Sequence, residues 1–255
     1  LGRAWLSMLR GSVRTLEDPL LKDYVERHVM GLAETSQLED RRLTFVTLDS
    51  PQLNAFAAPG GIIGVNGGLF LHAHSEAEFA SVMAHLSQRH FARGLQHQQQ
   101  NRIPLMTAML ASIILAASGG GDAGFAALAS TQAAAIQEQR RFSRQNEQEA
   151  DRIGLLTLKG AGYDPNAMPD MFERLARLSR FSRTPPEFLL THPVNQSRIA
   201  DSRNRAGQLS GDGRRDSLYY QMMRARVQLF YEESPGLAAQ RFRAQIGRAS
   251  CRERV

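Results

Sequence analysis

Asn146-Glu147-Gln148-Glu149-Ala150-Asp151-Arg152-Ile153-Gly154 is the stretch on which the reading of this chain turns. Wound as a helix, it brings Glu147, Ala150, Asp151 and Gly154 onto one face and sends Glu149 to the other. That face carries two carboxylates one turn apart, separated by two very small residues. Small residues allow a second helix to approach closely. A carboxylate on a close-packed face needs a cationic partner, because burying it unpaired is costly. The partner is either a metal ion or an Arg or His from the facing helix. A solvated acidic face with partners one turn away would produce the same pattern.

Working outward, Val82-Met83-Ala84-His85-Leu86-Ser87-Gln88-Arg89-His90 lies upstream. Before it runs Asn54-Ala55-Phe56-Ala57-Ala58-Pro59-Gly60-Gly61, followed by Ile62 to Leu69. Downstream come Thr191-His192-Pro193 and Arg198-Ile199. This order resembles the zinc metallopeptidases of the HtpX and CAAX-prenyl-protease type. More narrowly, it resembles the periplasmic β-barrel assembly-enhancing proteases, which carry a tetratricopeptide tail. The N-A-F-A-x-P-G-G and N-E-x-E-A-D-R-x-G blocks together carry the resemblance, which extends over roughly residues 8 to 245.

The resemblance implies an α+β, mostly helical, zincin-like domain over 1–206 and zinc as cofactor. It also implies a linker over 207–215 and truncated tetratricopeptide-like helices over 216–245. It makes Glu147 and His85 zinc ligands and Asp151 the carboxylate that orients a ligand His. His192 becomes a regulatory residue able to occupy the open metal position, and Arg198 a cleft residue for the oxyanion. Asn54, Ala55, Phe56 and Ala57 become an edge strand pairing with substrate backbone. The implied setting is the periplasm. The implied partners are unfolded or misassembled envelope proteins and the outer-membrane assembly machinery.

One departure matters. The family's zinc helix reads H-E-x-x-H, two imidazoles one turn apart with the general-base Glu between them. Here His85 is followed by Leu86-Ser87-Gln88-Arg89-His90, so four residues are missing, equivalent to H-E-x-x or E-x-x-H. The second His and the Glu have no counterpart. His90 lies about 140° around the helix from His85 and cannot substitute. The shortfall predicts a helix shorter by about 6 Å and an imperfect site, with His85 near Glu147 and no second His in reach. It also predicts loss of zinc and of hydrolysis. A sequence error or a true loss, leaving a non-catalytic binding module, would each produce it; resequencing codons 84 to 87 separates the two.

Other segments support a folded domain. The chain has 255 residues, 42% hydrophobic and 22% charged, ordinary for a globular protein. Its net charge of +6 is spread out, without a basic run interleaved with aromatics. Nucleic acid is therefore not an expected partner, and peripheral contact with a membrane surface fits better. Residues 246–255, Ile-Gly-Arg-Ala-Ser-Cys-Arg-Glu-Arg-Val, read as a translated sequencing adapter and are set apart as a non-native tail. They hold the only cysteine, so disulfide chemistry is not expected.

Leu16 to Leu32 has helical spacing with Asp18-Pro19 as its start, and His28 falls on the apolar face as a core histidine. Leu43 to Leu48 alternates as a strand. Asn54 to Ala58 and Ile62 to Val65 form two more, hinged at Pro59-Gly60-Gly61. Ser75-Glu76-Ala77-Glu78 is a capping box. It opens a helix that buries Phe79, Val82, Met83 and Leu86, with His85 off that stripe. His72 and His74 are weak substitutes as ligands. Residues 103–118 form an apolar run too short to span a bilayer.

Overall fold

Helix α1 (Pro19–Glu34) begins where the sequence places it. Asp18 is the N-cap, accepting from the backbone N–H of Leu20 and Leu21, and Pro19 occupies the first turn. The computed structural model describes residues 13–36, 43–58, 61–99, 144–181, 186, 188–189, 192–209 and 211–252, with side chains except over 88–99 and 245–252. The apolar run 103–118 and the side chain of His90 lie outside these residues.

Strands β1 (Thr44–Leu48), β2 (Ala55–Ala58) and β3 (Ile62–Asn66) form a sheet in the order β1-β3-β2. β3 runs parallel to β1, with Phe45 opposite Ile63, and antiparallel to β2, with Phe56 opposite Gly64. The β2–β3 hairpin is permitted by Gly61, whose φ of 76° a side chain would disfavour. Helix α2 (Gly67–His72) leads into α3 (Glu76–Gln99), which packs against β2 and α1. Helix α4 spans 144–160 of the described residues and is followed by a turn at Gly162, also at φ 76°. Then follow α5 (Ala167–Phe181), α6 (Gln196–Leu209), α7 (Leu218–Phe230) and α8 (Pro235–Arg252). The fold is α+β and mostly helical. Among the described residues no helix is long and apolar enough to cross a membrane.

The core gathers one face from each element. Tyr24 of α1, Phe70 of α2, Phe79 of α3 and Tyr220 of α7 form an aromatic cluster with centroids 4.6–6.2 Å apart. Helix α7 thus packs directly on the domain. The stretch read as a linker over 207–215 is divided: 207–209 close α6, and 213–215 run against the turn after α4.

His28 sits beside this cluster with its side chain 3% exposed. Its Nδ1 lies 3.3 Å from the hydroxyls of Tyr24 and Tyr163 and 3.7 Å from Glu76. Burial lowers its pKa below the ordinary 6.5, against the opposing pull of Glu76. The unfolded chain therefore takes up a proton that the folded chain refuses. Stability is full above the unfolded value and falls as pH drops from 6.5 toward the folded pKa. His28→Gln is expected to flatten that fall. The check is the urea midpoint of both proteins at pH 7.5 and at about pH 5, and equal slopes would contradict it.

Candidate metal centre

Helix α3 is continuous through His85, so the four-residue shortfall leaves no break in its backbone. Its start is tied by the expected cap: Ser75 Oγ accepts from Glu78 N at 3.3 Å, and the Glu78 carboxylate accepts from His74 N at 2.7 Å. Phe79, Val82, Met83 and Leu86 are buried in the core. His85 is equally buried, at 1% exposure, but turns toward α4. Helix α4 passes close because Gly154 faces this point. A Cβ on Gly154 would lie 3.0 Å from Met168 Cε and 3.4 Å from the His85 backbone nitrogen. An alanine there would need Met168 to give by a few tenths of an ångström, and a longer side chain would press on the α3 backbone.

On that shared face Asp151, 2% exposed, accepts three hydrogen bonds. His85 Nδ1 approaches its Oδ1 at 2.8 Å; Arg198 Nη2 donates to Oδ1 at 2.8 Å and Nε to Oδ2 at 2.7 Å. Burial alone would raise the Asp151 pKa, but the bonds from His85 and Arg198 outweigh it and hold the carboxyl below its ordinary range. The carboxylate therefore accepts the proton on His85 Nδ1. In the neutral ring Nε2 then carries its lone pair outward.

Nε2 of His85 faces His192 Nδ1 at 3.1 Å and Glu147 Oε2 at 3.3 Å. His192 Nδ1 lies 3.3 Å from the same Glu147 oxygen. All three residues are buried, and among the described residues they are the one group of donors suited to a metal ion. His192 is fixed by Phe188, whose ring stacks on it at 4.7 Å and whose carbonyl accepts its backbone N–H at 2.9 Å. Asn195 accepts the Arg198 backbone N–H at 2.8 Å, capping α6 and aiming Arg198 back at the site.

The structure thus brings together His85, Glu147, Asp151, His192 and Arg198. It differs from expectation at one point: a second imidazole is in reach, because the loop before α6 delivers His192. Arg198 does not face open space. Besides Asp151, it donates to the Pro193 carbonyl at 2.7 Å and its Nη1 lies 3.1 Å from Glu147. Asn54 precedes β2, and Ala55, Phe56 and Ala57 lie on it, at an edge of the described sheet. His72 and His74 sit near Arg174 and Arg224, outside the cluster. Phe188 and Asn195 were missed. Asn195, three residues before Arg198, was readable as a helix cap; Phe188 left no signal, since stacking is visible only in space.

The chain matches the model of Peptidase family M48 over residues 19–206. It is 42% identical over 230 residues to a putative beta-barrel assembly-enhancing protease of Vibrio cholerae, covering 89% of this chain and 47% of that one. It is 41% identical over 213 residues to the beta-barrel assembly-enhancing protease of Escherichia coli K12, covering 82% and 44%. It is 33% identical over 189 residues to a mitochondrial metalloendopeptidase of Arabidopsis thaliana, covering 72% and 36%. The chain spans about half the length of the assembly-enhancing proteases it matches. With a family match across most of its length, and site residues grouped where the blocks quoted above lie, this chain belongs to Peptidase family M48.

Proposed function

We propose that this chain is a zinc metallopeptidase domain acting in outer-membrane protein quality control, with His85, Glu147 and His192 as its metal ligands. One observation carries this reading. The three donor atoms stand 3.1, 3.3 and 3.3 Å apart. Tetrahedral coordination with bonds of about 2.0–2.1 Å has edges of about 3.3–3.4 Å, so the donors are spaced as such a site requires. Two imidazoles and one carboxylate are also a donor set typical of catalytic zinc. When bound, zinc would lower the pKa of a water to about 7 and polarise a carbonyl.

The chain's own residues supply the rest of the site. Asp151 fixes the His85 ring and its tautomer, which a ligand His requires. Arg198 balances the buried carboxylates of Asp151 and Glu147. Its donors are taken up by those groups and by the Pro193 carbonyl, which favours a positioning part over direct contact with an oxyanion. The edge of β2, where Asn54 and Ala55 are buried and Phe56 and Ala57 half-buried, would align an extended substrate by backbone pairing with little selectivity for side chains. Such binding suits unfolded or misassembled envelope proteins in the periplasm. Helices α7 and α8 would begin the tetratricopeptide region that meets the assembly machinery.

No carboxylate follows His85 in the sequence, since Leu86 stands there. Loss of a general base costs about 10²–10⁴-fold in rate, so the chain is expected to bind metal but hydrolyse slowly. The same absence supports a second function, that of a pseudoprotease that holds substrate without cutting it.

Equilibrium dialysis at neutral pH should find one zinc per chain, removable by EDTA and lost in His85→Ala, Glu147→Gln and His192→Ala. Zinc retained by His192→Ala would overturn the ligand assignment. Inserting Glu-x-x-His after His85 should raise hydrolysis of an unfolded substrate by about 10²–10⁴-fold; an unchanged rate would support the pseudoprotease. Arg198→Met in the metal-free protein should cost about 3–5 kcal/mol in urea unfolding, because it leaves buried carboxylates without their cation. A loss below about 1 kcal/mol would mean that Arg198 is no structural counter-charge.

A further inference from the structure

The segment Gly213-Arg214-Arg215-Asp216 touches both helices that carry the site. On one side Arg214 N donates to the Gly162 carbonyl at 2.8 Å, and Asp164 N donates to the Arg214 carbonyl at 3.0 Å. These bonds hold the turn that ends α4, the helix of Glu147 and Asp151. On the other side Ala77 N donates to the Arg215 carbonyl at 2.9 Å, and Glu76 N donates to Asp216 Oδ1 at 3.1 Å. These occupy first-turn N–H groups of α3, the helix of His85, which have no partner within the helix.

Side chains repeat the pattern. Arg214 lies over the Tyr163 ring at 4.5 Å, while its Nε stands 3.3 Å from Glu76 Oε2. Gly213 makes the approach possible: a Cβ there would lie 2.5 Å from the backbone nitrogen of Asp164. The same segment is continuous with α7. Asp216 accepts from Gln221 Nε2 at 2.7 Å, and Ser217 caps α7 by accepting from Tyr220 N at 3.0 Å. From α7, the Tyr220 hydroxyl donates to the Ala73 carbonyl at 2.8 Å and Gln221 to the His74 carbonyl at 3.0 Å.

We infer that Gly213–Asp216, with α7 behind it, is a clasp that sets the offset between α3 and α4, and that Asp216 is a positioning residue for the His85–Glu147–His192 site. The inference rests on the reading of that site as a metal centre. Its physical basis is leverage. His85 lies nine residues along α3 from Glu76, about 13 Å in a straight helix, so sliding or tilting at the clasped end is carried rigidly to the ring. Ligand distances tolerate only a few tenths of an ångström.

The test uses the whole chain and two probes. With zinc alone, Asp216→Ala should weaken affinity about tenfold, near the lower end of what losing a metal ligand's outer partner costs. The visible bands of bound cobalt(II) should shift with it. Asp216→Asn keeps an oxygen acceptor for Glu76 N and should restore both. Tyr220→Phe keeps the ring in the core and should move both in the same direction by less, which covers the case that Asp216→Ala does not fold. Lys22→Ala, which removes an exposed ion pair to Glu26 on α1 away from the clasp, should leave affinity within about twofold.

In metal-free protein, the nitrogen chemical shifts of the His85 ring should move in Asp216→Ala and return in Asp216→Asn. If wild type binds no zinc but these shifts follow the clasp variants, the metal reading falls and the clasp stands. If zinc binds normally and neither affinity, cobalt bands nor ring shifts respond to Asp216→Ala or Tyr220→Phe, the clasp is overturned. Ring shifts unmoved in a chain that binds no zinc overturn both.

Discussion

The carboxylate of Asp151 is the constraint on which the rest of the site depends. It is buried, ionised and shared between an imidazole on α3 and a guanidinium on α6. A charge in that position persists only where donors surround it, since water cannot reach it. Three elements must therefore meet at one point: α4 to bring the carboxylate, α3 to bring His85, and α6 to bring Arg198. Each of the three also carries, or lies next to, a donor of the candidate metal site.

The charges around that point explain why a cation suits it. Asp151 and Glu147 contribute two carboxylates, and Arg198 contributes one guanidinium within reach of both. The balance is negative in a space closed to solvent. A divalent ion between His85, His192 and Glu147 would reverse it, which is how metal sites commonly tolerate acidic ligands at depth. In the family pattern two imidazoles come from one helix; here the second comes from the loop before α6. That loop is itself held by Arg198 through the Pro193 carbonyl, and by Phe188 stacked on His192. The residue expected to regulate the site thus stands within hydrogen-bond distance of both His85 and Glu147.

Much of this was legible in the chain. Asp18-Pro19 announced α1 because a cap followed by proline pre-forms a first turn, and the Ser75–Glu78 box announced α3 for the same local reason. The pairing of Glu147 and Asp151 with small residues pointed to a close helix contact, and His85 does meet that face. The arrival of His192 was not legible, because a four-residue shortfall in one helix says nothing about a loop more than a hundred residues away. The role of 213–216 was hidden by composition. Gly, Arg and Asp in succession look like a solvated connector, and only their neighbours reveal a glycine chosen for close approach.

The sequence by itself determined where helices and strands begin, which faces are apolar, and which side chains have the chemistry to hold a metal. Those are properties of short range, set by backbone preference and by the periodicity of burial. The tertiary structure alone decided which distant donors share a centre, what Arg198 neutralises, and how the ends of α3 and α4 are tied together. Such contacts depend on how rigid elements cross in space, and a difference of one ångström there separates a binding site from a set of unrelated residues.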